Sequence, residues 1–170
     1  MKPGVFIALW AVGALAGPSC AFGGNLEPPD ALQDPAPLAV CVPWRYAETL
    51  ADVCESAGVP YWIAARLFAR ESGWVSTARN VNPNGTADVG IAQLNTRYMS
   101  DWERIAGGPV NPLDGHESIR VGVLYLAQLY RATGTWADAL AAYNCGLGRW
   151  RTGRIPASTR RHVAAIMGGD

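Results

Sequence analysis

From Trp44 onward, apolar residues recur three or four positions apart, the period of one buried helix face. Ala47, Leu50, Ala51, Cys54 and Ala57 define a first helix, and Gly58 stands where a helix C-terminus favours positive φ. Pro60 suits a first helical turn. Beyond it Ile63, Ala64, Leu67 and Phe68 extend a second stripe, which brings Glu71 into that helix's last turn. Between Ser72 and Gly90 the pattern breaks on Gly73, Asn80, Asn82, Pro83, Asn84 and Gly85, a run of turn formers that predicts a loop or small hairpin. A short helix is expected around Thr96 to Ile105, ended by Gly107-Gly108-Pro109. Asp114 and Glu117 have the spacing of a capping box and open a long helix. Ile119, Val123, Leu126 and Tyr130 share one face of it, and Gly134 stops it. Thr135 begins another helix with Trp136, Leu140 and Tyr143 on one side, and Ser158 is placed to cap a last one containing Val163, Ile166 and Met167. Strand alternation is nearly absent, so the predicted fold class is mainly α.

The chain before Trp44 reads differently. Met1-Lys2, the uncharged apolar run Val5 to Ala16 and the break at Pro18 form the pattern of a secretory signal peptide over residues 1–21. Ser19-Cys20-Ala21 fits the small-x-small cleavage rule, and Ala14-Leu15-Ala16 is a second candidate site. The apolar run is shorter than the roughly 20 residues a membrane-spanning helix needs. Cys20 lacks the preceding aliphatic residue that a lipid-acylated cysteine prefers. Residues 22–43 carry Pro28, Pro29, Pro35, Pro37 and Pro43 with few bulky apolar side chains, the composition of a linker. The packed domain is expected over residues 44–168.

With 170 residues, 49% of them apolar and 16% charged, the chain suffices for one core and no more. Its formal net charge of zero gives no reason to expect a nucleic-acid partner. Export permits disulfides, and cleavage after Ala21 leaves Cys41, Cys54 and Cys145, enough for one bridge and one spare thiol. A Cys41–Cys54 bridge tying the linker to the first helix is one option, with Cys145 a small buried residue. No Cys-x-x-Cys pair occurs, and His116 and His162 stand alone, so neither a metal nor any other cofactor is called for.

Three segments carry the chemistry: Glu71-Ser72-Gly73, then Gly90-Ile91-Ala92-Gln93-Leu94-Asn95, then Ala141-Ala142-Tyr143-Asn144-Cys145-Gly146. In order and spacing, together with Asn111-Pro112 before the long helix, they resemble the soluble lytic transglycosylases across nearly the whole domain after the linker. Asn82-Pro83-Asn84-Gly85-Thr86-Ala87-Asp88-Val89-Gly90-Ile91 resembles the small transglycosylases that accompany type III and type IV secretion systems and pili. That subgroup often has cysteine after the Asn-Pro pair, where this chain has Leu113. The resemblance implies a lysozyme-like helical domain with a small loop or hairpin region lining a substrate cleft. It also implies an enzyme acting on peptidoglycan glycan strands at the cell envelope or in the periplasm, with an envelope-spanning secretion or pilus machine as a further partner.

Glu71 suits acid catalysis on physical grounds independent of that resemblance. A glycosidic oxygen leaves only when protonated, and a carboxyl group beside apolar walls, here offered by Phe68 and Trp74, can keep its proton near neutral pH. The C-terminal end of a helix dipole pushes the same way. The ordinary alternative is a helix-end glutamate in a surface salt bridge. Glu71 as general acid and then base, cleaving the MurNAc-GlcNAc β-1,4 bond and leaving a 1,6-anhydro-MurNAc end, is what the resemblance implies. It also implies that Ser72 orients Glu71 or the substrate, that Gln93 contacts substrate near the scissile bond, that the Tyr143 phenol reaches towards Glu71, and that Asn144 contacts an N-acetyl group. The competing expectations are a helix-ending hydroxyl for Ser72, a loop-supporting amide for Gln93, core packing for Tyr143 and a helix C-cap for Asn144.

Asp88 sets up a rival. The span from Glu71-Ser72 through Asp88, Gly90-Ile91, Gln93 and Asn95 to Arg97 also resembles animal-type lysozymes. With Asp88 as a second carboxylate, water would complete the reaction and the enzyme would be a hydrolase. The ordinary alternative for Asp88 is a turn former. A third reading keeps the fold as a non-catalytic peptidoglycan-binding or assembly protein. Two positions depart from the transglycosylase pattern: Ala92, where methionine is common, and His162 in Ser158-Thr159-Arg160-Arg161-His162-Val163, where tyrosine is common. A lone histidine on an amphipathic helix is usually structural, although His162 can donate a hydrogen bond. Arg149, Arg151, Arg154, Arg160 and Arg161 form either a solvated face or a surface that steers anionic wall polymer.

Overall fold

The computed structural model describes residues 40–168. The segment read as a signal peptide, its two candidate cleavage sites, Cys20 and the expected linker up to residue 39 lie outside the described residues. Val40 and Val42 lie against the core from within the segment read as linker.

Helix α1 (Trp44–Ala57) buries Tyr46, Leu50 and Cys54 and ends on Gly58 at φ 68°. Ala51, on the expected stripe, faces solvent. Helix α2 (Tyr61–Ser72) follows Pro60 and buries Ile63, Ala64, Leu67 and Phe68, with Glu71 in its last turn. A three-stranded antiparallel sheet comes next, where a loop or hairpin was expected. Strand β1 (Arg79–Val81) pairs with β2 (Ala87–Val89) in the register Asn80 to Asp88, and β2 pairs with β3 (Leu94–Asn95), setting Asp88 opposite Asn95. A single 3-10 turn, Thr96–Tyr98, leads into α3 (Met99–Ala106).

Helix α4 (Gly115–Thr133) is the central element, packed against α1, α3 and α5. The Asp114 side chain accepts from the backbone N–H groups of His116 and Glu117, as a capping residue should. Glu117 does not reach back to Asp114; its carboxylate accepts from the Asn111 N–H at 2.6 Å and fastens the preceding loop instead. Ile119, Val123 and Leu126 are buried, whereas Tyr130, at the edge of the stripe, is 36% exposed and stacks on Trp136 at 4.0 Å.

Helix α5 (Trp136–Cys145) begins with Thr135 accepting from the Asp138 N–H and ends at Gly146, so Asn144 is inside the helix and is not its C-cap. A five-residue helix that the sequence pattern did not reveal, α6 (Leu147–Arg151), precedes α7 (Ala157–Met167). Pro156 occupies the N-cap of α7 without a side-chain bond, and Ser158 lies within the first turn, so the expected serine cap is not formed. The three described cysteines are free thiols. Cys54 is buried in the α1 face of the core, which pushes its thiol up to about 12, while Cys41 is exposed, so the Cys41–Cys54 bridge considered from the sequence is not made. None of the described helices is long and apolar enough to cross a membrane.

Gly90 fixes how the sheet meets the helices. It has φ +77°, and a Cβ there would lie 1.9 Å from the Pro112 carbonyl oxygen and 2.7 Å from the Ser118 hydroxyl. Only a residue without a side chain lets the turn after β2 press against the loop before α4.

Candidate functional site

Glu71 stands where α2, the sheet, α5 and α7 converge, and its side chain keeps 16% of its surface open. Burial, then the negative charge of Asp88, push its pKa up to about 8, against an opposing pull from the Arg70 guanidinium. A carboxyl group in this setting carries its proton at pH 7. It is also exposed enough to hand that proton to a ligand.

Asp88 is the other carboxylate of the site. On β2 it is flanked by amides: Asn82 donates to Oδ2 at 3.0 Å and Asn95 to Oδ1 at 2.7 Å, and both also bond the Thr86 hydroxyl at 3.2 Å. The Asn-rich turn that spelled a loop thus also supplies one of the two donors that hold Asp88 in place, and β3 supplies the other.

Two backbone-strained residues frame this arrangement. Among the described residues, Trp74 (φ 66°) and Gln93 (φ 50°) are the non-glycine residues in the left-handed region. Trp74 follows the left-handed C-cap Gly73 of α2 and is buried edge-on to Phe68 at 5.8 Å and beside Tyr46 at 6.3 Å. Gln93 closes the turn between β2 and β3, its Nε2 donating to the Gly90 carbonyl at 2.9 Å. Strain at such positions persists where the surroundings over-determine it, and it clusters at functional sites.

The remaining expected site residues are all half-buried, and each bonds to the surrounding frame. Ser72 donates to the Ile91 carbonyl at 2.9 Å, with a longer contact to Phe68 at 3.4 Å, tying the end of α2 to the β2–β3 turn. The Tyr143 hydroxyl donates to the Ala92 carbonyl at 2.8 Å, not to Glu71 as expected. Burial, and next the proximity of Glu71, drive its pKa well above the usual tyrosine range, so it is a neutral donor. Asn144 accepts the Thr159 hydroxyl on its Oδ1 at 2.7 Å, a bond that does not engage the amide Nδ2.

One site residue was left in the background by the sequence. His162, 5% exposed on α7, places Nε2 3.4 Å from Glu71 Oε1. This contact is no ion pair at neutral pH: burial, then Arg70, push the imidazole down to about 4, while the carboxyl stays protonated. Only the departure from tyrosine marked His162 in the sequence; nothing in its spacing ties it to Glu71. Among the described residues, no group of three or more His, Cys, Asp or Glu side chains gathers as a bound metal ion would require.

Helices packed around a central one, a small antiparallel sheet on one side and a protonated glutamate at a helix end between them define a lysozyme-like helical domain. A family model described as the transglycosylase SLT domain matches residues 53–161, and the chain belongs to that family. Its fold is similar to an inactive glutamate-to-glutamine mutant of the lytic transglycosylase Slt from Pseudomonas aeruginosa (TM-score 0.62, 23% identity, 73% of this chain and 23% of that one). It is also similar to the 70 kDa soluble lytic transglycosylase of Escherichia coli (TM-score 0.60, 26% identity, 71% of this chain and 22% of that one). In sequence it is 33% identical over 102 residues to Protein IpgF of Shigella flexneri, covering 56% of this chain and 66% of that protein. The chain therefore spans under a quarter of the solved transglycosylases and just under two thirds of the Shigella protein.

Proposed function

We propose that this protein is an exported peptidoglycan lytic transglycosylase that cleaves the MurNAc-GlcNAc β-1,4 bond through Glu71 and acts in the periplasm or cell envelope. The observation that carries the reading is the Glu71 carboxyl, protonated at neutral pH and open over 16% of its surface. Glu71 gives its proton to the glycosidic oxygen as the C1–O bond of the muramoyl residue breaks. The resulting carboxylate takes the proton of that residue's C6 hydroxyl, whose oxygen bonds to C1 and closes the 1,6-anhydro ring. Water is neither consumed nor released, and Glu71 ends protonated.

The supporting side chains divide by what their hydrogen bonds leave free. Ser72 has committed its donor to the Ile91 carbonyl, so its contribution is to fix the helix end that bears Glu71. Gln93 has spent a donor on Gly90 and offers its Oε1 to a sugar hydroxyl. Asn144 offers Nδ2 to an N-acetyl carbonyl. Tyr143 holds the Ala92 carbonyl and lines the cleft beside Glu71. An envelope-spanning secretion or pilus machine as partner rests on the resemblance of residues 82–91.

A second reading rests on Asp88. Its carboxylate is held by two amides and is close enough to Glu71 to raise that residue's pKa, as a second carboxylate in a hydrolase would be. Mass spectrometry of released muropeptides separates the two. The proposal expects 1,6-anhydromuramoyl ends; reducing ends, heavier by one water, would establish the hydrolase. Peptidoglycan zymography with Glu71→Gln beside wild type tests the acid itself, since clearing by the variant would remove Glu71 from the mechanism. A wild type that binds glycan strands without clearing them would mark a binding protein.

A further inference from the structure

The imidazole of His162 is nine-tenths buried, its Nε2 has no hydrogen-bond partner, and that nitrogen faces Glu71 Oε1 at 3.4 Å. A buried ring nitrogen without a partner is costly, and native structures keep few of them. Its element is firmly placed. Within α7, Thr159 one turn earlier is 2% exposed and bonds Asn144, and Ile166 one turn later accepts from Arg66 Nη1 of α2 at 3.0 Å. The histidine is thus fixed on a rigid helix, aimed at the carboxyl and slightly too far for a bond in this state.

We propose that His162 is a positioning residue for Glu71: its Nε2–H closes onto Oε1 when the carboxyl has given up its proton, and holds the carboxylate during the second half of the reaction. This rests on Glu71 being the proton donor. The direction of the bond follows from the task. If Nε2 were instead the acceptor, the Glu71 proton would point at the imidazole and not at the glycosidic oxygen. A donor leaves the acid's proton free for substrate and finds its partner once charge develops on the carboxylate, when such a bond is strongest.

Every charged or titratable group that faces the pair is compatible with this. Arg70 comes from α2, Asp88 from β2 and Tyr143 from α5, while Arg66, one turn before Arg70, is bonded to the Ile166 carbonyl. Burial and Arg70 keep the imidazole neutral over the range in which Glu71 titrates, so a single fixed tautomer serves throughout. Arg70 attracts the carboxylate but does not bond it. Among the described residues no other side chain is placed to donate to Oε1.

The test reads the tautomer first and the catalytic consequence second. In the wild-type protein, 15N NMR of the histidine ring should show Nε2 protonated and Nδ1 bare at neutral pH; the opposite tautomer overturns the proposal outright. Next, the Glu71 carboxyl is titrated by 13C NMR in wild type, His162→Phe, His162→Leu and His162→Gln. The Leu variant serves in case the larger ring does not fit. Loss of a bond to the charged form should raise the Glu71 pKa by about one unit, tenfold in the equilibrium. It should carry the alkaline limb of the kcat/KM profile upward with it, and lower kcat by about tenfold. His162→Gln, which keeps an N–H at nearly the same place, should restore both. A Glu71 pKa unmoved or lowered in the apolar variants, or a Gln variant no better than Leu, refutes the contact. The carboxyl titration reads this whether or not the enzyme turns over. Clearing by Glu71→Gln would instead defeat the assignment of Glu71 and leave the NMR result standing.

Discussion

Replacing Glu71 with glutamine should stabilise the protein, and by an amount that depends on pH. The folded carboxyl titrates at about 8 against 4.5 in the unfolded chain. Below pH 4.5 the group is protonated in both states and costs nothing. From there up to pH 8 the unfolded chain releases a proton that the folded chain retains, so this group's contribution to stability declines as pH rises; above pH 8 the loss is complete. At pH 7 the folded carboxyl has stayed protonated through about 2.5 units, a penalty of about 3 kcal/mol at 1.36 kcal/mol per unit. Glutamine is neutral throughout, and no side-chain donor bonds the Glu71 carboxyl among the described residues, so the substitution breaks no hydrogen bond there. His162 works in the opposite sense, losing stability as pH falls from 6.5 towards about 4, but it is present in both proteins and cancels in the difference. The assay is urea unfolding of wild type and Glu71→Gln at pH 4.5, 6, 7 and 8, with unchanged slopes confirming that only stability moved. The variant should match wild type at pH 4.5 and exceed it by about 3 kcal/mol at pH 7. A gap that is the same at every pH would refute the argument that burial holds the proton on Glu71. A variant less stable than wild type at pH 8 would refute it as well.

Other substitutions probe the frame around that carboxyl. Asp88→Asn removes the like charge that helps keep Glu71 protonated, so the alkaline limb of kcat/KM should move to lower pH while anhydro products persist; reducing-end products or no shift would contradict the electrostatic role. Gly90→Ala sets a Cβ 1.9 Å from the Pro112 carbonyl at φ +77° and should cost more than about 3 kcal/mol in urea unfolding. Thr159→Val deletes the 2.7 Å hydroxyl bond to Asn144. It should lower stability by about 1 kcal/mol and kcat/KM several-fold, with Thr159→Ser close to wild type in both.

Much of the helical frame was readable because α1, α2 and α4 are long enough for a 3.6-residue period to repeat, and Gly58 and Gly134 mark the ends of α1 and α4 in the left-handed conformation. Shorter elements escaped for the same reason. The five residues of α6 and the two of β3 hold less than two periods of any pattern. Ser158 misled because capping chemistry is generic: a serine near a helix start matches the rule, but Pro156 fixes the backbone two residues earlier and α7 begins there. The helix C-cap considered for Asn144 failed in the same way, since its partner, Thr159, comes from α7 and no local rule could supply it.

The site divides along that line. Glu71, Asp88, Gln93 and Tyr143 were picked out from short segments; the structure brings Glu71, Asp88 and Tyr143 together and sets Gln93 next in the chain to the Ala92 that Tyr143 bonds. Their hydrogen bonds were not legible, because each connects elements whose relative placement only the packed core decides. The acidity of Glu71 shows what that costs a sequence argument. The helix dipole predicted a raised pKa from the chain alone, but the adjacent Arg70, equally visible in the sequence, pulls the other way. Local features therefore leave the sign open. What decides it is desolvation between α2, the sheet, α5 and α7, followed by the charge of Asp88 on β2. The property that makes Glu71 fit to donate a proton thus belongs to the assembled domain, and a substitution on α7 that never touches substrate can change it.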